Sequence, residues 1–141
     1  MSKKSGKIAE LIAGCAGRGW SPHYSGYFEC FNRGLYFEAH DVLEELWLAE
    51  RHGPNHAYHK GLIQLAGAFV HLQKNRLRPA VALFNLAAAN LEKYPAHHDG
   101  MDLAVVRELI ADWKEAVEQG GFEVNPLNLR PPPQLAPPSA R

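Results

Sequence analysis

The sequence is poor in the features that define several large classes of protein. Cys15 and Cys30 are its only cysteines, too few for a disulfide framework or a cysteine-rich zinc site. Basic and acidic residues are equal in number, 15 of each, so the basic excess typical of nucleic-acid binders is missing. No apolar run approaches the ~20 residues that a membrane-spanning helix requires. The 141 residues therefore predict one cytoplasmic domain with neither a nucleic-acid nor a membrane partner.

The two ends of the chain differ from its middle. Three lysines precede a short apolar stretch at the N-terminus, but Glu10 interrupts that stretch, which favours an amphipathic helix over 4–16 rather than an export signal. Proline is dense in 130–141, and because proline fixes φ and lacks an amide donor, this segment is expected to be disordered. The predicted units are an N-terminal helix or extension (1–20), a helical domain (21–121) and a Pro-rich disordered tail (122–141).

Apolar residues recur at helical spacing between the prolines and glycines of the middle region. No stretch alternates apolar and polar residues with a period of two, so no strand is predicted. The fold class is therefore all-α, a compact bundle of five to six helices. The predicted helices of the middle region are 23–33, 35–51, 55–75, 78–94 and 102–119.

A weak internal repeat suggests how these helices pair. Residues 34–43 align with 75–84, and the Gly-x-Tyr-x-Glu-Ala pattern of the first copy is similar to the turn into the second helix of a tetratricopeptide unit. Two such units are too few for a stable solenoid. We therefore expect two tetratricopeptide-like helical hairpins within the bundle.

Two predicted helices carry polar residues beside their apolar faces. On the helix 35–51, His40 and Glu44 lie one turn apart at the border of the apolar face, whereas Glu38, Asp41 and Glu45 lie opposite, in water. The helix 55–75 is apolar around most of its circumference, as the central helix of a bundle would be. Its narrow polar stripe includes Lys60, Gln64 and His71, with Gly67 in the middle.

Two interpretations of these polar residues remain open. In the first, the stripe is a solvent edge, and His40 with Glu44 is an ordinary i,i+4 pair. In the second, the two seams face each other, so that Glu44 meets Lys60 or Gln64 and His40 approaches His71 around a small polar pocket. The ligand-binding candidates under the second interpretation are Tyr36, His40, Glu44, Trp47, Lys60, Gln64 and His71.

A metal centre is the most specific form of such a pocket. His40, Glu44 and His71 offer the nitrogen and oxygen ligands that zinc or a similar ion accepts. Neither helix has a Glu-x-x-His or His-Glu-x-x-His motif, and His56 with His59 forms a second, looser candidate. No nucleophile elbow and no glycine-rich phosphate loop is found, so no cofactor is identified.

A longer motif resembles a known family. The string Phe31-Asn32-x-Gly34-x-Tyr36-Phe37-Glu38-Ala39-His40-Asp41-x-Leu43-Glu44-x-x-Trp47, followed by Lys60-Gly61-Leu62-Ile63-Gln64-x-Ala66 and His71, resembles the "domain of unknown function 309" family over about 24–94. The resemblance implies a small all-helical domain of bacteria, archaea and plastids, without an established activity. The family's motif positions fall here on Phe31, Asn32, Tyr36, His40, Glu44, Trp47, Gln64 and His71.

Three functional hypotheses follow. The first is a binding module that holds a small ligand or a partner peptide in the groove around the polar cluster, with no catalysis. The second is a metal-dependent or acid–base enzyme with Glu44 as base or ligand. The third is a structural hydrogen-bond network within an interaction scaffold. Self-association is also expected if Trp20, Tyr24 and Tyr27 form an exposed aromatic patch.

Overall fold

This computed structural model describes residues 3–139 of the chain. They contain six α-helices and one small β-hairpin. The predicted all-α fold is confirmed, and the five middle helices begin and end within about three residues of the predicted bounds. None of the described helices is long and apolar enough to cross a bilayer. The helices are α1 (Lys3–Leu11), α2 (Pro22–Asn32), α3 (Tyr36–Glu50), α4 (His56–Gln73), α5 (Leu77–Leu91) and α6 (Leu103–Gln119). The strands are β1 (His97–His98) and β2 (Met101–Asp102), and short 3-10 helices cover Ala13–Cys15 and Pro126–Asn128.

The ends of α2 show how local sequence sets the helix bounds. The Ser21 side chain accepts a hydrogen bond from the His23 amide at 3.2 Å, and Pro22 occupies the first helical position, where its missing amide donor costs nothing. At the other end Gly34 adopts a φ of 75°, the left-handed conformation that glycine tolerates. The chain therefore turns directly from α2 into α3.

The core is organised around α4. The Phe69 ring on α4 is fully buried and meets the rings of Phe31 (α2), Tyr36 (α3), Phe84 (α5) and Trp113 (α6). The four centroid distances lie between 5.0 and 5.6 Å, and three of the four contacts are edge-to-face. Aromatic pairs of this kind add about 0.5–1.5 kcal/mol each to the free energy of burial. One side chain thus joins four other helices to α4.

Two of the three aromatic residues expected on the surface are in the core. Tyr24 is 3% exposed and Tyr27 is fully buried, so the predicted aromatic patch of Trp20, Tyr24 and Tyr27 does not form. Each tyrosine hydroxyl has a partner inside the fold: Tyr27 donates to the Leu62 carbonyl at 2.6 Å, and Tyr24 donates to the Asp99 carbonyl at 2.7 Å. Both tyrosines can be buried because each hydroxyl has a hydrogen-bond partner.

The β-hairpin between α5 and α6 was not predicted. His98 pairs with Met101 across a two-residue turn, in which Asp99 has a φ of 45° and Gly100 a φ of 77°. Asp-Gly is a strong sequence signal for such a turn. The strands of two residues each are too short for an alternating pattern, so the dipeptide was the available signal.

Both ends of the chain lie against the middle region. On α1, Ile8 is 1% exposed and belongs to the core. The tail expected to be disordered instead makes defined contacts up to residue 139; the last two residues lie outside the described part of the chain. Leu135 is 3% exposed, and the Asn32 side chain bonds both polar groups of its backbone. The prolines of this segment lack amide donors and cannot continue a helix. The segment is held instead by hydrogen bonds from the Asn32 side chain to the backbone of Leu135.

Replacing Phe69 by alanine is expected to destabilise the fold by about 3–5 kcal/mol, because the cavity would remove contacts with four helices at once. Phe37→Ala is the matched control, since Phe37 is 52% exposed, and it should cost less than about 0.5 kcal/mol. Urea denaturation followed by circular dichroism gives both free energies of unfolding. Equal costs for the two variants would contradict the central role of Phe69.

Candidate functional site

The helix α3 concentrates negative charge in a chain whose formal net charge is zero. Its fifteen residues include five carboxylates and neither lysine nor arginine. Phe37 and Leu48 lie on the same helix and are 52% and 53% exposed. Their spacing from Asp41 and Glu44 puts these four residues on one helical face. This face of α3 is both acidic and partly apolar.

Three side chains of α3 form what we call the acid cluster: His40, Asp41 and Glu44. One ligand atom from each lies within 4.8 Å of the others, and all three residues are partly buried. The His40 Nδ1 atom is 3.1 Å from Asp41 Oδ1, and its Nε2 atom is 3.9 Å from Glu44 Oε2. The imidazole therefore lies between two carboxylates of its own helix.

A cation from the N-terminal helix already occupies the acid cluster. The Lys4 ammonium on α1 donates a hydrogen bond to Glu44 Oε1 at 3.1 Å and lies 3.4 Å from Asp41 Oδ1. Burial lowers the pKa of the Lys4 ammonium, but its bonds to the two carboxylates outweigh burial and raise the pKa above its usual value. The Lys4 side chain is 50% exposed. Ion pairs this exposed contribute about 0–1 kcal/mol, so Lys4 is a weakly held occupant.

The acid cluster is positioned by the contact between α3 and α4. A Cβ atom added at Gly67 would lie 3.2 Å from the Leu83 side chain and 3.9 Å from the Cδ2 atom of His40. Gly67 therefore allows α5 to pack closely on α4 and also lies beside the His40 imidazole. The glycine in the predicted polar stripe is explained by close packing of neighbouring helices.

The other candidates on this groove form separate pairs. The Lys60 ammonium lies 4.4 Å from the centroid of the Trp47 ring, and the Trp47 indole donates to the His56 carbonyl at 3.1 Å. The Gln64 side chain accepts a hydrogen bond from Asn90 on α5 at 2.7 Å. Each of these contacts fixes a side chain against a neighbouring helix.

Two candidates carry buried polar atoms without a partner. The Tyr36 hydroxyl and the Nδ1 atom of His71 are enclosed and make no hydrogen bond with the described residues. Burial raises the pKa of Tyr36 to about 12. Burial lowers the pKa of His71, and the nearby Arg76 and Lys74 lower it further. Both side chains therefore stay neutral at neutral pH.

The structure brings together fewer of the candidates than the facing-seam interpretation requires. Glu44 is joined to Lys4, Lys60 to Trp47 and Gln64 to Asn90, so the expected contacts of Glu44 with Lys60 or Gln64 are not among those of residues 3–139. Sequence reasoning also assigned Asp41 to water and missed Lys4. The i,i+3 spacing of Asp41 and Glu44 was an available signal. No pattern in the sequence indicated where α1 would dock.

A second polar region lies where the β-hairpin meets α4. The Asn55 side chain donates to Asp99 at 2.6 Å and bonds His98 Nε2 at 2.8 Å. His59 is 4% exposed and lines a cavity of about 210 Å³ beside these groups. The His98 ring packs on the ring of Tyr58, with a distance of 4.6 Å between the ring centroids.

The chemistry of the acid cluster is that of a cation site. Carboxylate and imidazole atoms bind an ammonium group or a divalent metal ion. Thiol chemistry has little support, because burial raises the pKa of Cys30 to about 11, and burial and the Glu29 carboxylate raise that of Cys15. Both thiols are protonated at neutral pH and are weak nucleophiles.

The fold and the acid cluster describe a small all-helical domain with an acidic face on α3. Residues 24–83 match the family model described as Domain of unknown function (DUF309), which confirms the resemblance found in the sequence. The matched region covers most of α2, all of α3 and α4, and the first half of α5. The search of curated proteins and the search of solved structures found no match.

The unpartnered hydroxyl of Tyr36 gives a direct test of the site geometry. Tyr36→Phe removes a buried polar group that has no hydrogen bond, so we expect no loss of stability or a gain of about 1 kcal/mol. Tyr27→Phe is the matched control and should cost about 1–2 kcal/mol, because it removes the bond to the Leu62 carbonyl. Thermal denaturation compares the two variants. A comparable loss in Tyr36→Phe would show that its hydroxyl has a partner.

Acidification is expected to weaken the fold through His59. Burial lowers the pKa of this imidazole in the folded chain below the usual 6.5 of the unfolded chain. As the pH falls from 6.5 towards the folded pKa, the unfolded chain binds more protons, so stability falls by at most about 1.4 kcal/mol per pH unit. His59→Gln should flatten the dependence of unfolding free energy on pH between 7 and 5. Val105→Ala, at an exposed position without a titratable group, should leave this pH dependence unchanged, and equal slopes in both variants would contradict the assignment.

Proposed function

We propose that this domain is a binding module, with no catalytic reaction of its own, that binds a basic segment of a partner protein at the acid cluster. The observation that carries the proposal is the Lys4 ammonium between Glu44 and Asp41. A lysine or arginine of the partner would take the same position. The partner segment is therefore expected to carry a positively charged residue next to apolar residues.

Charge and shape on α3 support a basic and amphipathic partner. The helix has five carboxylates and no compensating lysine or arginine, so a cationic segment would be attracted to it. The exposed side chain of Leu48 lines a cavity of about 450 Å³ between α1 and α3. The helix α1 is itself such a basic and partly apolar segment, because it has three lysines and the buried residue Ile8.

The weak hold of Lys4 supports its replacement by a partner. The exposed ion pair contributes about 0–1 kcal/mol and is weakened further by salt. A partner that also covered Phe37 and Leu48 would bury apolar surface at about 25 cal/mol per Å². That additional burial would favour the partner over the intramolecular cation.

A divalent metal ion is the second candidate for the same site. One ligand atom each from His40, Asp41 and Glu44 lies within 4.8 Å of the others, which is a spacing from which three ligands can reach one ion. This set replaces His71 of the predicted set by Asp41. An enzyme that used the cluster through such a metal is the functional alternative.

The remaining assignments are proposals of the same kind. A cytoplasmic location is supported by the two unpaired cysteines, Cys15 and Cys30, which suit a reducing compartment. The hairpins α2–α3 and α4–α5 are proposed to act as a tetratricopeptide-like scaffold, supported by the tight packing within each hairpin. The division into 1–20, 21–121 and 122–141 is kept as a functional division, because the family match lies inside the middle unit.

Peptide binding tests the proposal. The variant Lys4→Ala/Ile8→Ser loosens α1 from α3, and a fluorescein-labelled peptide with the sequence of residues 3–12 then serves as the basic probe. We expect this variant to bind the probe in fluorescence anisotropy about tenfold more tightly than the unmodified chain, in which α1 competes. Adding Asp41→Asn/Glu44→Gln should abolish the gain, and raising the salt concentration should weaken binding.

Glu38→Gln in the loosened variant is the matched control, because it removes a carboxylate of α3 outside the acid cluster. It should leave probe affinity within about twofold, since its charge lies farther from the bound ammonium. Equal binding with and without Asp41 and Glu44 would overturn the proposal. Stoichiometric Zn²⁺ or Mn²⁺ binding in calorimetry, lost in Asp41→Asn/Glu44→Gln, with no peptide binding, would favour the metal site instead.

A further inference from the structure

The segment 131–139 has no regular secondary structure and runs along α2 to the β-hairpin, and we call it the strap. It is held at two points, Leu135 and Ser139, and at each point both the backbone amide and the backbone carbonyl of one residue are hydrogen-bonded. Between these points lie Ala136, Pro137 and Pro138. Because proline lacks an amide donor, Ala136 is the one residue of this spacer with a backbone N–H group.

Asn32, at the end of α2, provides the first point of attachment. Its side-chain amide donates to the Leu135 carbonyl at 2.7 Å, and its side-chain oxygen accepts from the Leu135 amide at 2.7 Å. The Asn32 backbone carbonyl also accepts from the Gln134 side chain at 2.9 Å. The Leu135 side chain is 3% exposed and belongs to the core.

Gly100 and Trp20 provide the second point. The Ser139 amide donates to the Gly100 carbonyl at 2.9 Å, and the Trp20 indole donates to the Ser139 carbonyl at 2.9 Å. A Cβ atom at position 100 would lie 2.9 Å from both the Ser139 nitrogen and a Pro138 carbon. The strap therefore approaches the hairpin so closely that only glycine fits there.

We propose that Asn32, Trp20 and Gly100 form a binding site for an extended, proline-rich peptide of a partner protein, which the strap occupies within the same chain. The bonds to the backbone would give affinity for any extended segment, and the buried position of Leu135 would select an apolar side chain. The ligand class is thus a leucine followed by a spacer of three residues that contains proline. This site is separate from the acid cluster and does not depend on it.

Two observations favour exchange of the strap for a partner segment. The strap lies outside the region that matches the family model, and its backbone is held by Asn32, Gly100 and Trp20 rather than by a helix or sheet of its own. Beside it a cavity of about 340 Å³ remains unfilled, lined by Phe28, Trp20 and Arg33 and by Pro137 of the strap itself. A partner segment with a larger side chain at the position of Pro137 would extend into this cavity.

The test uses the full chain and a fluorescein-labelled peptide with the sequence of residues 130–139. Leu135→Glu releases the strap from its site, and fluorescence anisotropy measures binding of the peptide in trans. We expect Leu135→Glu to bind the peptide at least about tenfold more tightly than the unmodified chain, because the tethered competitor is gone. Adding Asn32→Ala should abolish the gain.

A peptide with glutamate at the position of Leu135 is the matched control and should not bind. Thermal denaturation establishes that each variant is folded, and Leu135→Ala replaces Leu135→Glu if the charged variant does not fold. The proposal is overturned if a folded strap-released variant binds the peptide no better than the unmodified chain. It is also overturned if Asn32→Ala leaves the affinity of that variant unchanged.

Discussion

The burial of α4 around Phe69 is the interaction on which the rest of the structure depends. Its ring contacts an aromatic side chain from each of α2, α3, α5 and α6, so all four helices pack against the same side chain. Tyr36 is the member from α3, and His40 lies one helical turn further on, beside Gly67. The packing of Tyr36 on Phe69 therefore fixes where the acid cluster stands relative to α4. Phe31 likewise fixes the position of α2 through its contact with Phe69. Asn32, which holds the strap, directly follows Phe31 in the sequence.

The two ends of the chain share a physical role. Both lie outside the family match, and each satisfies polar groups that the matched region presents on its surface. At the N-terminus Lys4 forms ion pairs with Asp41 and Glu44, and at the C-terminus the backbone of Leu135 satisfies both polar atoms of the Asn32 side chain. In both proposals, the end of the chain occupies a site that a segment of a partner protein would take. The two proposed sites follow from that one feature.

Helical periodicity and helix-ending residues were enough to predict the all-α fold, because apolar residues recur at helical spacing and several helices end close to a glycine or proline, as α2 does at Gly34. The border position of His40 and Glu44 was also readable, since it follows from spacing along one helix. The sequence did not predict which side chains would contact His40, Glu44 and their neighbours. Lys4 and Leu135 reach their sites from distant parts of the sequence, and no local pattern encodes that contact. The proline-rich tail misled for a related reason, because its order comes from Asn32 and the core.

Native-state hydrogen exchange tests the central claim most directly, namely that α4 carries the cooperative core and that the ends are attached to it. The amides of α4 should exchange only through global unfolding, with the full free energy measured in denaturant. The amides of Leu135 and Ser139 should be protected but should exchange through a local opening of much lower free energy. If these strap amides exchange with the same free energy as those of α4, the strap does not open separately from α4 and the account is contradicted.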